Sequence, residues 1–112
     1  MRTAVFPSAF SKKLEKLISQ RKVLENDFEN LKKNLVKCPE QGDVIKATGG
    51  CRKVRLKSIG KGKRGGFRVC YLDVPEKEKL FFLQIYPKNE KEDLTTEERK
   101  LLKEFSDALK KR

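Results

Sequence analysis

The sequence has no histidine and no tryptophan, and holds one methionine and three cysteines among 112 residues. Without histidine it lacks the commonest general base and the commonest metal ligand. Cys38, Cys51 and Cys70 are 13 and 19 residues apart, with no C-x-x-C pair to begin a zinc site. They read as reduced thiols, mostly buried as small hydrophobes. No metal and no cofactor is expected. No stretch reaches the ~18 apolar residues of a membrane span, and the opening MRTAVFPSAF lacks the apolar run and cleavage site of a secretory signal. The expectation is a cytoplasmic protein with no membrane partner, folded as one domain over residues 1–112.

Acidic residues are missing where basic ones are densest. The chain carries 28 Lys and Arg against 16 Asp and Glu, a formal charge of +12. Between Val44 and Leu72 there are nine basic residues (Lys46, Arg52, Lys53, Arg55, Lys57, Lys61, Lys63, Arg64 and Arg68) and no acidic one. The rest of the chain is close to charge balance. A single-sign block among apolar strand residues points to an anionic partner, whereas the mixed-sign helical segments read as solvated faces.

Hydrophobic periodicity outlines the elements. Residues 2–6 suit a short edge strand, stopped by Pro7, with Ser8 as an expected helix N-cap. Phe10, Leu14, Leu17, Arg21, Leu24, Phe28, Leu31 and Leu35 alternate four and three apart. That spacing predicts one core-facing stripe on a long helix, or on two helices joined near Ser19 and Gln20. Pro39 and Gly42 end the helical region. Strand alternation then begins, with Val54 and Leu56 on one face and Lys53, Arg55 and Lys57 on the other. The segments 67–74 (FRVCYLDV) and 80–86 (LFFLQIY) complete an antiparallel meander, joined by the glycine-rich segment 58–66 and by 75–78. Thr95 and Glu98 have capping-box spacing ahead of a helix expected to set Leu101, Leu102, Phe105 and Leu109 on one side. The predicted class is α+β: a small antiparallel or mixed sheet with an N-terminal helical segment and a C-terminal helix, the helices on one sheet face.

The run Gly60-Lys61-Gly62-Lys63-Arg64-Gly65 matches G-x-G-x-x-G formally. It fails as a dinucleotide site because the next segment continues as a strand rather than a helix, and as a P-loop because Arg64 stands where Ser or Thr is required. It remains a glycine loop presenting Lys61, Lys63 and Arg64 to phosphate backbones. Lys53, Arg55, Lys57 and, on the next strand, Arg68 form a pre-positioned cationic row able to converge on a phosphate. Crowded cations depress one another's pKa, so a lysine among them is a candidate base. Phosphoryl transfer in RNA can use the substrate's own 2′-hydroxyl as nucleophile, the one nuclease design this composition permits.

Several motifs occur in order: Pro39-x-x-Gly-Asp-x-Ile, Thr48-Gly-Gly-x-Arg-Lys-x-Arg, Gly60-Lys-Gly-Lys-x-Gly-Gly, Arg68-x-x-Tyr, and Ile85-Tyr-x-Lys-Asn-Glu before Asp93-Leu94. From Pro39 to Glu98 this resembles the RelE/ParE superfamily of bacterial toxins, in its HigB/RelE-like branch. The resemblance implies a RelE-like fold and the toxin of a type II toxin–antitoxin pair. It also implies a ribosome-dependent, metal-independent endoribonuclease (an mRNA interferase) that inhibits translation by 2′-hydroxyl attack on the adjacent phosphate. It carries the family's two basic strand positions onto Lys53 and Arg55, and its transition-state arginine onto Arg68. Lys57, Lys61, Lys63, Arg64, Lys88 and Lys91 are then RNA-binding candidates. A further family arginine falls near Asn89, and the family's C-terminal tyrosine falls near Thr95, so that tyrosine is missing; Lys53 is the first choice as base. Tyr71 and Tyr86 read as core or sheet residues. Implied partners are a cognate antitoxin, in a toxin–antitoxin hetero-oligomer, together with the ribosome and mRNA. A gyrase-poisoning toxin of the ParE branch and a non-enzymatic RNA- or ribosome-binding module are the rival readings. The first is disfavoured by the basic strand set.

Overall fold

The computed structural model describes residues 1–57, 66–89 and 94–111. Its strands are β1 (Thr3–Val5), β2 (Asp43–Val44), β3 (Arg52–Leu56), β4 (Phe67–Val74) and β5 (Lys79–Pro87), and its helices α1 (Ser8–Ser19), α2 (Glu25–Lys37) and α3 (Thr96–Lys110). The strands form one sheet in the order β1-β5-β4-β3-β2. The β2 to β5 pairs are antiparallel, as the meander predicts, while β1 runs parallel to β5 at the edge. The result is an α+β fold with a mixed sheet. None of the described helices is long and apolar enough to cross a membrane.

The helices do not share one sheet face. Phe10, Leu17, Phe28 and Leu35 of α1 and α2 pack with Val54, Leu56, Phe67, Val69, Tyr71, Leu80, Phe82 and Ile85. On the opposite face Leu94 and Leu102 pack with Cys51, Cys70, Leu72, Val74, Phe81 and Tyr86. Strand alternation explains the split, because β4 is buried on both faces and needs cover on each. A cluster of Phe6, Phe10, Phe28 and Phe82, with ring centroids 5.0 to 6.2 Å apart, ties β1, α1 and α2 to β5.

The N-terminal stripe is two helices, and the break lies at Arg21. Its φ of 57° is left-handed, and its N–H bonds Ile18 O while that of Lys22 bonds Leu17 O. This is a complete Schellman ending with arginine where glycine is usual. The turn advances the phase of the stripe, so Val23 is buried at 1% exposure and the expected Leu24 stands out at 51%. Pro7, not Ser8, holds the N-cap position of α1, without a side-chain cap. The capping box of Thr95 and Glu98 forms as expected, each side chain accepting from the other's backbone N–H. The face of α3 differs from the expectation. Leu102, Ser106 and Leu109 turn inward, whereas Leu101 and Phe105 are 65% and 41% exposed.

Candidate RNA-binding face

Burial of Val54 and Leu56 against α1 and α2 sends the alternate residues of β3, Lys53 and Arg55, to the opposite sheet face. On β4 the same alternation buries Phe67 and Val69 on the helix-pair side and leaves Arg68 with Cys70 and Leu72 on the other. Strand register then sets the rows. Arg55 lies directly opposite Arg68, and Arg68 opposite Tyr86 of β5; one step along, Lys53 lies opposite Cys70. Residues opposed in this way have Cβ atoms about 4.5–5.5 Å apart. Arg55 is exposed, and Lys53 and Arg68 are half-buried. Burial reaches the Arg68 guanidinium itself, whose Nε has no hydrogen-bond acceptor among the described residues.

A bulge aims Tyr86 into this row. Cys70 pairs with Gln84 and Tyr71 with Phe82, so Leu83 is an extra residue on β5. The extra residue reverses the alternation, which is why Phe82 and Ile85 share one core while Phe81 and Tyr86 share the other. Tyr86 is 4% exposed, in keeping with a sheet residue, and adjoins Arg68 in register. No spacing rule marks such a bulge in advance.

Lys57 is exposed immediately after β3. Lys88 follows β5, and its N–H bonds Gly66 O at 2.9 Å, bringing it to the foot of the glycine segment at the same end of the sheet. Lys61, Lys63, Arg64 and Lys91, with most of the glycine segment, lie outside the described residues. Strand pairing adds one residue that sequence reasoning missed. Asp43 of β2 is in register with Lys53, giving the row a carboxylate neighbour. The two-residue strand that carries it is too short to show periodicity. Among the described residues no three His, Cys, Asp or Glu side chains gather as a metal site.

A model of the family described as the RelE toxin of the RelE/RelB toxin–antitoxin system matches residues 9–112. The chain belongs to the RelE toxin family. It is therefore a toxin of a toxin–antitoxin system, whose counterpart is a cognate antitoxin.

Several motif residues of this RelE toxin build the face without belonging to it. Arg52 donates from one nitrogen to Gly42 O at 2.7 Å and Glu40 O at 3.2 Å, so this cation of the basic block is spent on the turn before β2. Tyr71 is fully buried; its hydroxyl accepts from the Gly42 N–H at 2.9 Å and donates to Pro39 O at 2.6 Å. A Cβ on Gly42 would meet Lys53 O and that hydroxyl at 2.8 Å, which is why the turn carries glycine. Burial pushes the Tyr71 phenol above its ordinary pKa, as it does the Cys51 thiol. Cys51 and Cys70 are buried as expected, but Cys38 is exposed, and none of the three forms a disulfide.

The Thr48-Gly49-Gly50 motif docks α3. Thr48 Oγ1 donates to Ile45 O at 2.6 Å and accepts from the Cys51 N–H at 3.1 Å. Gly49 O accepts from Ser106 Oγ at 3.0 Å and Lys110 Nζ at 2.6 Å. Gly49 has φ of 75°, and a Cβ there would stand 2.8 Å from Ser106 Oγ. Small residues on both sides let the helix approach, and the motif fixes where α3 covers the sheet.

Proposed function

We propose that this RelE toxin, of the HigB/RelE-like branch, is a ribosome-dependent mRNA endonuclease that inhibits translation in the cytoplasm. The observation that carries the reading is the Arg55–Arg68 pair. Like charges directly opposed on neighbouring strands are destabilising, and an anion between them removes the repulsion. A scissile phosphate held there meets two guanidinium groups, each able to engage two oxygens at once.

The chemistry needs little more. A base takes the proton of the RNA 2′-hydroxyl, the 2′-oxygen attacks the adjacent phosphorus, and the bond to the 5′-oxygen breaks as that oxygen gains a proton. The products are a 2′,3′-cyclic phosphate and a 5′-hydroxyl. Arg55 and Arg68 neutralise the charge that grows on the phosphoryl oxygens, an electrostatic contribution of the kind that dominates many enzymes. Lys53 serves as base or as a third stabilising cation. Lys57, Lys61, Lys63, Arg64, Lys88 and Lys91 hold the flanking backbone. Positioning of the message by the ribosome can supply up to about 7–11 kcal/mol of the barrier, which leaves charge and proton transfer to the toxin.

Cleavage of a defined mRNA on programmed ribosomes, with 5′ ends mapped, tests the reading. Arg68→Ala is expected to lose cleavage while keeping its fold. Parent-like activity in that variant excludes the assigned role. Intact mRNA with a DNA-damage response, or salt-sensitive RNA binding without cleavage, would replace the reading with gyrase poisoning or simple RNA binding.

A further inference from the structure

The inward face of α3 begins with an arginine. Arg99, Leu102, Ser106 and Leu109 fall at helical spacings of three, four and three, and all four are buried or half-buried. The other polar groups of this stripe and of the helix start are satisfied: Ser106 by Gly49 O, and Thr95 and Glu98 by each other's backbone. Arg99 is different. Its Nε is buried and meets no hydrogen-bond acceptor among the described residues, a condition it shares with Arg68.

The two arginines belong to the same end of the sheet. The C-terminal half of α3 is fixed at the far end, where Lys110 and Ser106 donate to Gly49 O before β3, and Lys77 before β5 donates to Leu109 O at 2.5 Å. Helix α3 therefore runs back toward the end that holds the start of β4 and the close of β5. There Leu94 and Leu102 pack in one cluster with Cys70 and Tyr86, the neighbours of Arg68 along and across the strands. Arg99 lies one turn before Leu102, on the side of the helix that faces this part of the sheet.

Among the described residues no acceptor compensates the buried Nε of Arg99. A partly buried guanidinium with an unused donor is costly, the chain already carries +12, and the first turn of a helix disfavours positive charge. A phosphate answers all three objections. Resting on the endonuclease reading, we propose that Arg99 is a further RNA-binding residue, which with Arg68 holds a backbone phosphate against the first turn of α3. The cradle closes the row Arg55–Arg68–Tyr86 from the helix side. It also puts a cation into the RNA path from a segment that looks, by charge pattern, like an ordinary solvated helix.

The test uses the full chain and the variants Arg99→Met and Arg99→Lys. Binding is read with a short 2′-O-methyl oligoribonucleotide, which cannot be cleaved, across a salt series; cleavage is read on programmed ribosomes, and Tm in the absence of RNA. Arg99→Met keeps the apolar stem without the charge. It is expected to flatten the salt dependence of binding by about one phosphate contact, to lower kcat/KM about ten- to hundredfold, chiefly through KM, and to hold Tm at or above the parent's. Arg99→Lys is expected to retain most of the salt dependence. A parent-like salt slope in Arg99→Met, or a weakened binding that comes with a lower Tm, would overturn the proposal. If the parent itself cleaves nothing, the endonuclease reading fails while the binding arm still decides the role of Arg99.

Discussion

Arg55 and Arg68 stand directly opposite each other on β3 and β4, on the sheet face away from α1 and α2. On the proposed reading, their juxtaposition trades stability for affinity. Arg55→Gln is expected to raise the unfolding free energy by about 0.2–1 kcal/mol, the usual size of a cross-strand charge effect. The same change is expected to lower mRNA cleavage by about 10²–10³-fold, as loss of one oxyanion-stabilising donor does elsewhere. Urea denaturation beside the ribosome assay checks both. A destabilised Arg55→Gln would mean that the guanidinium serves the fold.

The register of Asp43 with Lys53 bears on the base. If Lys53 takes the proton, Lys53→Met is expected to remove most of the activity, while Asp43→Asn keeps most of it. If Asp43 takes it, the two variants exchange these outcomes. Single-turnover cleavage of a defined mRNA on programmed ribosomes by both variants separates the cases.

Much of this arrangement was legible in the residues, for physical reasons that also mark where it stopped. The alternation at Val54 and Leu56, the buried run from Leu80 to Tyr86, and the capping box at Thr95 are local signals that packing reinforced. Lys53, Arg55 and Arg68 could be assigned to one face because strand parity is local as well. The edge strand at residues 2–6 was legible, but the pairing of β2 with β3 and of β1 with β5 is not local, so the place of Asp43 beside Lys53 and the parallel partner of that edge strand stayed hidden. Leu83 resets parity by one residue and Arg21 resets helical phase, and each misdirects any rule that assumes an unbroken period. On α3, a leucine at 101 and a serine at 106 suggest the opposite of what occurs. The close approach of Gly49 selects the small side chain for the interface.

The Schellman turn at Arg21 gives a stabilising substitution. A side chain in the left-handed region costs about 1–2 kcal/mol, and glycine returns part of that gain as chain entropy, about 0.5–1 kcal/mol. Arg21→Gly is therefore expected to stabilise the toxin by roughly 0.5–1 kcal/mol, with unchanged cleavage, since the turn lies between α1 and α2. Thermal unfolding of both proteins decides it, and a lower Tm would mean that the arginine side chain makes a compensating contact.

Alkaline pH probes the anchor beneath the site. Burial holds the Tyr71 phenol above its ordinary 10.0 and the Cys51 thiol above its ordinary 9.0. Both acids keep their protons in the folded chain at a pH where the unfolded chain has lost them. Folded toxin then binds more protons than unfolded, and stability falls as pH rises. Their contribution is complete below pH 9.0, begins to be lost as the unfolded Cys51 and then the unfolded Tyr71 ionise, and is exhausted once pH passes the raised folded values. Tyr71→Phe gives up the hydrogen bonds to Gly42 and Pro39 and is expected to lose about 1–3 kcal/mol at neutral pH, yet to show a shallower decline above pH 10.0. Cys51→Ala is expected to flatten the earlier part of the curve. Urea unfolding at a series of alkaline pH values measures both slopes. A Tyr71→Phe curve parallel to the parent's would show that some other group ionises and that Tyr71 is not the alkaline weak point.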